Sequence, residues 1–175
     1  MSRRFRSAVP AAAVILIGLV AACGPSTAVP DPPPLTAADI DGERLWARIT
    51  EETDYRDYPE WPDRAGLMPG QSPHGVWHRV YGNPTLFDSL PRRDARAPEG
   101  AILVKENYDN NRNLVALTVM AKVADFDPDN GDWFWASYRP DGTVNAAGGL
   151  GGCISCHEGM RSNDFVIINP LDEAP

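Results

Sequence analysis

Two apolar runs decide the fold: Ala101-Ile102-Leu103-Val104-Lys105-Glu106 and Leu114-Val115-Ala116-Leu117-Thr118-Val119-Met120-Ala121-Lys122-Val123, with Asp109-Asn110-Asn111 between them. Both are rich in β-branched and aliphatic residues, and the Asp/Asn cluster is turn chemistry, so the segment predicts a β-hairpin. Working outward, Val76-Trp77-His78-Arg79-Val80-Tyr81 alternates like a strand and stops at Gly82-Asn83-Pro84. Downstream, Trp133-Phe134-Trp135-Ala136-Ser137-Tyr138 predicts a further strand closed by Pro140-Asp141-Gly142, and Phe165-Val166-Ile167-Ile168 a short last one. On the N-terminal side Thr36 and Asp39 form a helix-start signal ahead of Ile40, Leu45, Trp46 and Ile49. Gly42 weakens that helix, which ends before Tyr58-Pro59. Pro59 to Pro73 reads as a loop. The predicted fold is α+β, mainly antiparallel β: a small twisted sheet with one packed N-terminal helix and long loops.

The chain has 175 residues, room for one domain, with 23% charged and 43% hydrophobic residues. Its formal charge is −8. Without Arg3, Arg4 and Arg6 there are 13 bases against 24 acids, a balance of −11. Phosphate binding needs a basic surface, so nucleic acid is excluded as a partner.

Residues 1–22 read as a lipoprotein-type signal peptide: the three early arginines, the apolar run Ala11 to Val20, then small residues before Cys23. The run is short for a membrane span. Val20-Ala21-Ala22-Cys23-Gly24 resembles the bacterial lipoprotein box, in which the cysteine is acylated. An ordinary signal peptide leaving Cys23 free is the alternative. Residues 23–35, with five prolines, form a tether, and residues 36–175 are the domain. The expected location is the periplasmic side of a bacterial cell envelope, with the membrane reached through the lipid anchor only.

Cys153-Ile154-Ser155-Cys156-His157 is the c-type haem attachment pattern. Two thiols at this spacing add to the haem vinyl groups, and the adjacent imidazole of His157 ligates iron. A zinc site would need two more ligands, and there is no second cysteine pair. A redox disulfide would want a strand-turn-helix context, whereas Gly148-Gly149-Leu150-Gly151-Gly152 reads as a flexible loop. The cofactor is therefore haem c, one per chain. Only 18 residues follow His157, and Met160 is too near to reach the other haem face. Met68 and Met120 are formal candidates for a sixth ligand, but a strand methionine is more often core. The expectation is a five-coordinate iron with an open face, where a small molecule binds.

From about Tyr58 to Pro170 the chain resembles the cytochrome P-460 family and its relative cytochrome c′-β. The matching residues are Pro73-His74-Gly75 leading into the Val80-Tyr81 strand, Gly100 to Glu106, Gly131-Asp132-Trp133-Phe134-Trp135, and the haem motif near the C-terminus followed by Asp164-Phe165-Val166. The resemblance implies a β-rich homodimer with one five-coordinate haem per chain. It also implies, at Lys105, the lysine that cytochrome P-460 joins covalently to its haem, a modification linked to oxidation of hydroxylamine.

Alternation puts Lys105 on the face of Leu103, opposite Ile102 and Val104. An inward ammonium is costly unless neutralised, and a bond to haem would neutralise it; a solvent-facing lysine paired with Glu106 is the alternative. Lys122, the other of the two lysines, is assigned outward. Hydroxylamine-oxidising relatives use a distal glutamate near the haem motif as proton acceptor, and the glycine run before Cys153 offers no carboxylate. Glu106 and Glu158 are the substitutes within the chain. His74 is the distal candidate, as acid, base or weak sixth ligand, with a backbone-bonded loop histidine as alternative. On a strand, His74 and His78 would be roughly 13 Å apart, too far to share a metal. Trp77, Trp133, Phe134 and Trp135 are read as core, with one or two lining the haem. The expected function is oxidation of hydroxylamine or a related small nitrogen compound, with binding of nitric oxide or another diatomic as alternative. The redox partner is unknown from sequence; the acidic balance implies that it docks through a basic surface.

Overall fold

The computed structural model describes residues 32–71, 73–90, 95–168 and 171. The signal peptide, Cys23 and the tether as far as residue 31 lie outside the described residues. Six strands form one antiparallel sheet in the order of the chain. They are β1 (Met68–Pro69), β2 (Trp77–Gly82), β3 (Ile102–Tyr108), β4 (Leu114–Lys122), β5 (Trp133–Tyr138) and β6 (Val144–Gly148). The predicted hairpin is β3–β4, with Val104 opposite Val119 and Lys105 opposite Thr118.

One strand expectation fails. Phe165 to Ile168 forms no strand. Asp164 and Phe165 both have left-handed backbones, φ 53° and 66°, which an extended ladder does not accommodate. The last strand is instead β6, whose Val-Asn-Ala-Ala-Gly composition carries almost no strand signal.

The N-terminal helix is α1 (Gly42–Ala47), continued by a wider π-type turn over Arg48–Glu52. It starts later than Thr36 because Asp41 is the cap: its carboxylate accepts from the Arg44 N–H at 2.7 Å. Gly42 is there for packing, since a Cβ would lie 2.8 Å from the Val144 side chain on β6. Leu45 and Ile49 are fully buried against the sheet, about 1.5–3 kcal/mol each.

Alternation along the strands divides the sheet into two faces. One carries Ile102, Val104, Leu117, Val119, Phe134, Ala136 and Tyr138, and packs on Leu45 and Ile49. The other carries Val80, Leu103, Met120, Trp133 and Trp135, and packs on Leu86, Phe165 and Val166. Leu86 belongs to α2 (Pro84–Phe87), capped by Asn83. Glu106 lies on the α1 face, 4% exposed, where three phenols donate to its carboxylate: Tyr55 at 2.9 Å, Tyr81 at 3.3 Å and Tyr108 at 2.6 Å. Among the described residues no helix is long and apolar enough to cross a membrane.

Candidate haem site

The glycine run before the cysteines is not a loop throughout. β6 ends at Gly148, whose φ of 115° turns the chain, and α3 (Gly151–His157) begins three residues later. This is the strand-turn-helix context that the sequence reading denied, so that argument against a redox disulfide falls. Burial pushes the Cys153 thiol up. Among the described residues no group of three or more His, Cys, Asp or Glu is placed to hold a metal ion. Cys153 and His157, four apart on α3, share one helix side. Leu150, Cys153 and Ile154 pack against the apolar cluster of the second sheet face, and Cys156 is exposed.

His157 is held firmly. Its Nδ1 meets the Phe165 carbonyl oxygen at 2.7 Å; a carbonyl only accepts, so Nδ1 carries the proton and Nε2 keeps the lone pair. Burial lowers the His157 pKa, although the bond to Phe165 opposes that shift. The Asp164-Phe165 turn that supplies the carbonyl is strained but fixed from several sides. The Asp164 carboxylate accepts from Lys122 Nζ at 2.7 Å and from the Ala97 N–H at 2.9 Å, and the Asp164 carbonyl accepts from Trp133 Nε1 at 2.7 Å. Lys122, placed outward from sequence, therefore points inward into a buried ion pair.

The second sheet face supplies the facing wall. Register puts Lys105 beside Val80 and Thr118, and His78 beside Asn107. His74 precedes β2 in a turn closed by Gly70 N–H to Val76 O (2.7 Å) and Val76 N–H to Tyr108 O (3.0 Å). Gly75 is required in that turn: its φ is 75°, and a Cβ would sit 2.6 Å from the Tyr108 carbonyl oxygen. Because His74 is off the strand, the 13 Å separation from His78 expected for a strand does not apply. The His74 Nδ1 lies 3.3 Å from Thr118 Oγ1, its ring centroid is 6.2 Å from that of His157, and Trp135 is 4.8 Å from His157. Burial first and the Lys105 charge second bring both His74 and His78 down to about 4, so both are neutral at pH 7.

Lys105 faces these histidines, and burial lowers its own pKa. Among the described residues its ammonium has no hydrogen bond and no carboxylate partner. Glu106, proposed from sequence as a partner or a distal base, is turned to the other side of the sheet and bound by tyrosines. Glu158 bonds Arg161 at 3.1 Å on an exposed surface just beyond α3. Of the tryptophan set, Trp133 and Trp135 lie on this face, Phe134 lies on the other, and Trp77 is half-buried under Arg112. Met120 is core between Leu103 and Trp135, and Met68 sits opposite His78 on β1.

These residues fit a haem. Five buried side-chain polar atoms among the described residues lack a hydrogen-bond partner, and three of them, His78 Nδ1, Asn107 Oδ1 and Trp135 Nε1, are on this face. Buried polar atoms are normally satisfied, so such a cluster marks a ligand surface. Asn107 and Thr118 carry no sequence signal of their own; only strand parity with Lys105 could have found them.

Strained turn, neutral imidazole with free Nε2, and two thiols on one helix are the features that a c-type cytochrome site needs, here beside an antiparallel sheet. The cytochrome P460 family model matches residues 53–168, and the chain belongs to that family of haem-binding cytochromes. No curated protein matches the chain.

Proposed function

We propose that this is an exported mono-haem cytochrome, with haem c bonded to Cys153 and Cys156 and ligated by His157. It oxidises hydroxylamine or a related small nitrogen compound on the side of the iron away from His157. The haem supplies the electron sink when bound. The observation that carries the reading is Lys105: a desolvated amine without an acid partner, facing the haem side, is both costly as an ammonium and available as a nucleophile. A bond from Nζ to a macrocycle carbon, formed with loss of one N–H and one C–H hydrogen as two protons and two electrons to an external oxidant such as a peroxide, would remove the cost. Above Lys105, the neutral His74 supplies a proton acceptor. The proposal extends to a homodimer lipidated at Cys23 on the periplasmic side of the bacterial envelope, giving electrons to a partner with a basic surface.

One observation favours the second reading, binding of nitric oxide or another diatomic without turnover. Among the described residues no carboxylate stands beside Lys105 and His74. Purified protein and a Lys105→Ala variant separate the two. A red-shifted wild-type spectrum that reverts to an ordinary c-type spectrum in the variant, with hydroxylamine turnover lost, supports the enzyme. Identical ordinary spectra and no turnover in either leave the binding protein.

A further inference from the structure

His74 and His157 stand in a relationship that neither a loop histidine nor a simple distal base requires. Their ring centroids are 6.2 Å apart and their planes are perpendicular within 7°, at 83°. In each ring Nδ1 is the engaged nitrogen: His157 donates to the Phe165 carbonyl, and His74 meets Thr118 Oγ1. The Thr118 oxygen also accepts from Asn107 Nδ2 at 3.2 Å, and its second lone pair is free to accept from a proton on His74 Nδ1. In that tautomer His74, like His157, keeps its lone pair on Nε2. Imidazole nitrogens bind transition metals at roughly 2 Å. Adding the distance from nitrogen to ring centre on each side places two imidazoles that share one ion with centroids about 6 Å apart.

We infer that His74 closes the second axial position of the haem iron at rest, as a displaceable sixth ligand through Nε2. The inference rests on the haem reading above and changes one part of it: the iron's second face is occupied by the protein, not open. Ligand entry then breaks the bond from iron to His74 Nε2 and forms one to the incoming atom, with no change in electron count. The released Nε2 lone pair becomes the proton acceptor beside the bound molecule. Met120 and Lys105 are the competing donors on this face. Met120 is packed between Leu103 and Trp135, whereas His74 is carried by a turn whose fixed points, Gly70, Gly75 and Val76, leave the imidazole at the sheet surface.

The test is the ferric optical and electron paramagnetic resonance spectrum of purified holoprotein, with covalent haem first verified by intact mass. Wild type is expected to be low-spin and six-coordinate. His74→Ala is expected to be high-spin, to return to low-spin on addition of imidazole, and to bind imidazole at least tenfold more tightly, because no internal ligand competes. His78→Ala is expected to stay low-spin. A high-spin wild type, or a His74→Ala variant that retains haem and remains low-spin, overturns the assignment. Missing covalent haem would instead overturn the function proposed above, so the two failures are told apart.

Discussion

His157 Nδ1 donates to the carbonyl of Phe165 across 2.7 Å, and that carbonyl is presented by two consecutive residues in left-handed conformation. Non-glycine residues hold such angles only where surrounding contacts over-determine them. Here the contacts are the Lys122–Asp164 ion pair, the Trp133 indole and the Ala97 N–H. The orientation of His157 is thus set by a turn that an ion pair ties to the end of β4.

Removing one member of that pair strands the other, 12% and 5% exposed as they are. Asp164→Asn and Lys122→Ala are each expected to cost about 3–5 kcal/mol in urea unfolding. The double replacement Lys122→Met with Asp164→Leu recovers part of that loss. In Asp164→Asn the looser carbonyl makes the His157 imidazole a poorer donor, so the haem reduction potential rises.

Glu106→Gln exchanges a carboxylate that accepts from three phenols for an amide with only one acceptor oxygen. A loss of about 1–3 kcal/mol is expected in thermal or urea unfolding. Hydroxylamine turnover and the haem spectrum stay unchanged, because Glu106 faces α1 and not the haem side. A loss of turnover with intact stability would restore it as the proton acceptor.

Burial first, and then the bond to Glu106, raise the Tyr55 and Tyr108 pKa values in the folded chain. Unfolded phenols ionise near pH 10. The folded pKa is the higher one, so this stabilisation is complete below about pH 10 and is lost as pH rises above it. Urea midpoints measured from about pH 8 to pH 11.5 should fall over the last two units, and Tyr55→Phe should flatten that fall.

Cys156→Ser leaves one thioether, at Cys153. The pyridine haemochrome band is expected to move to the position of a haem with one unreacted vinyl group, with haem still bound covalently by mass. A double-attachment band in the variant would remove Cys156 from the site.

The hairpin, the tryptophan strand and the haem motif were legible because each is a local pattern: alternation, aromatic density, fixed spacing. β6 was not, since Val144 to Gly148 is a strand only by pairing with β5. Phe165 to Ile168 looked like a strand by composition, but its carbonyl and backbone are committed to His157. Lys105 was placed on the right face by parity alone. Parity could also have sent Lys122 to that face, yet its partner Asp164 is 42 residues away and invisible to local reading. Glu106 was misassigned for a related reason: two of the three tyrosines that satisfy it, Tyr55 and Tyr81, come from other segments of the chain.

The most direct test of the account is peptide mass mapping of the purified holoprotein. The account predicts that the peptide containing Lys105 is found joined, through the haem, to the peptide containing Cys153, Cys156 and His157. Recovery of the Lys105 peptide at its unmodified mass, alongside an intact haem peptide, would contradict it.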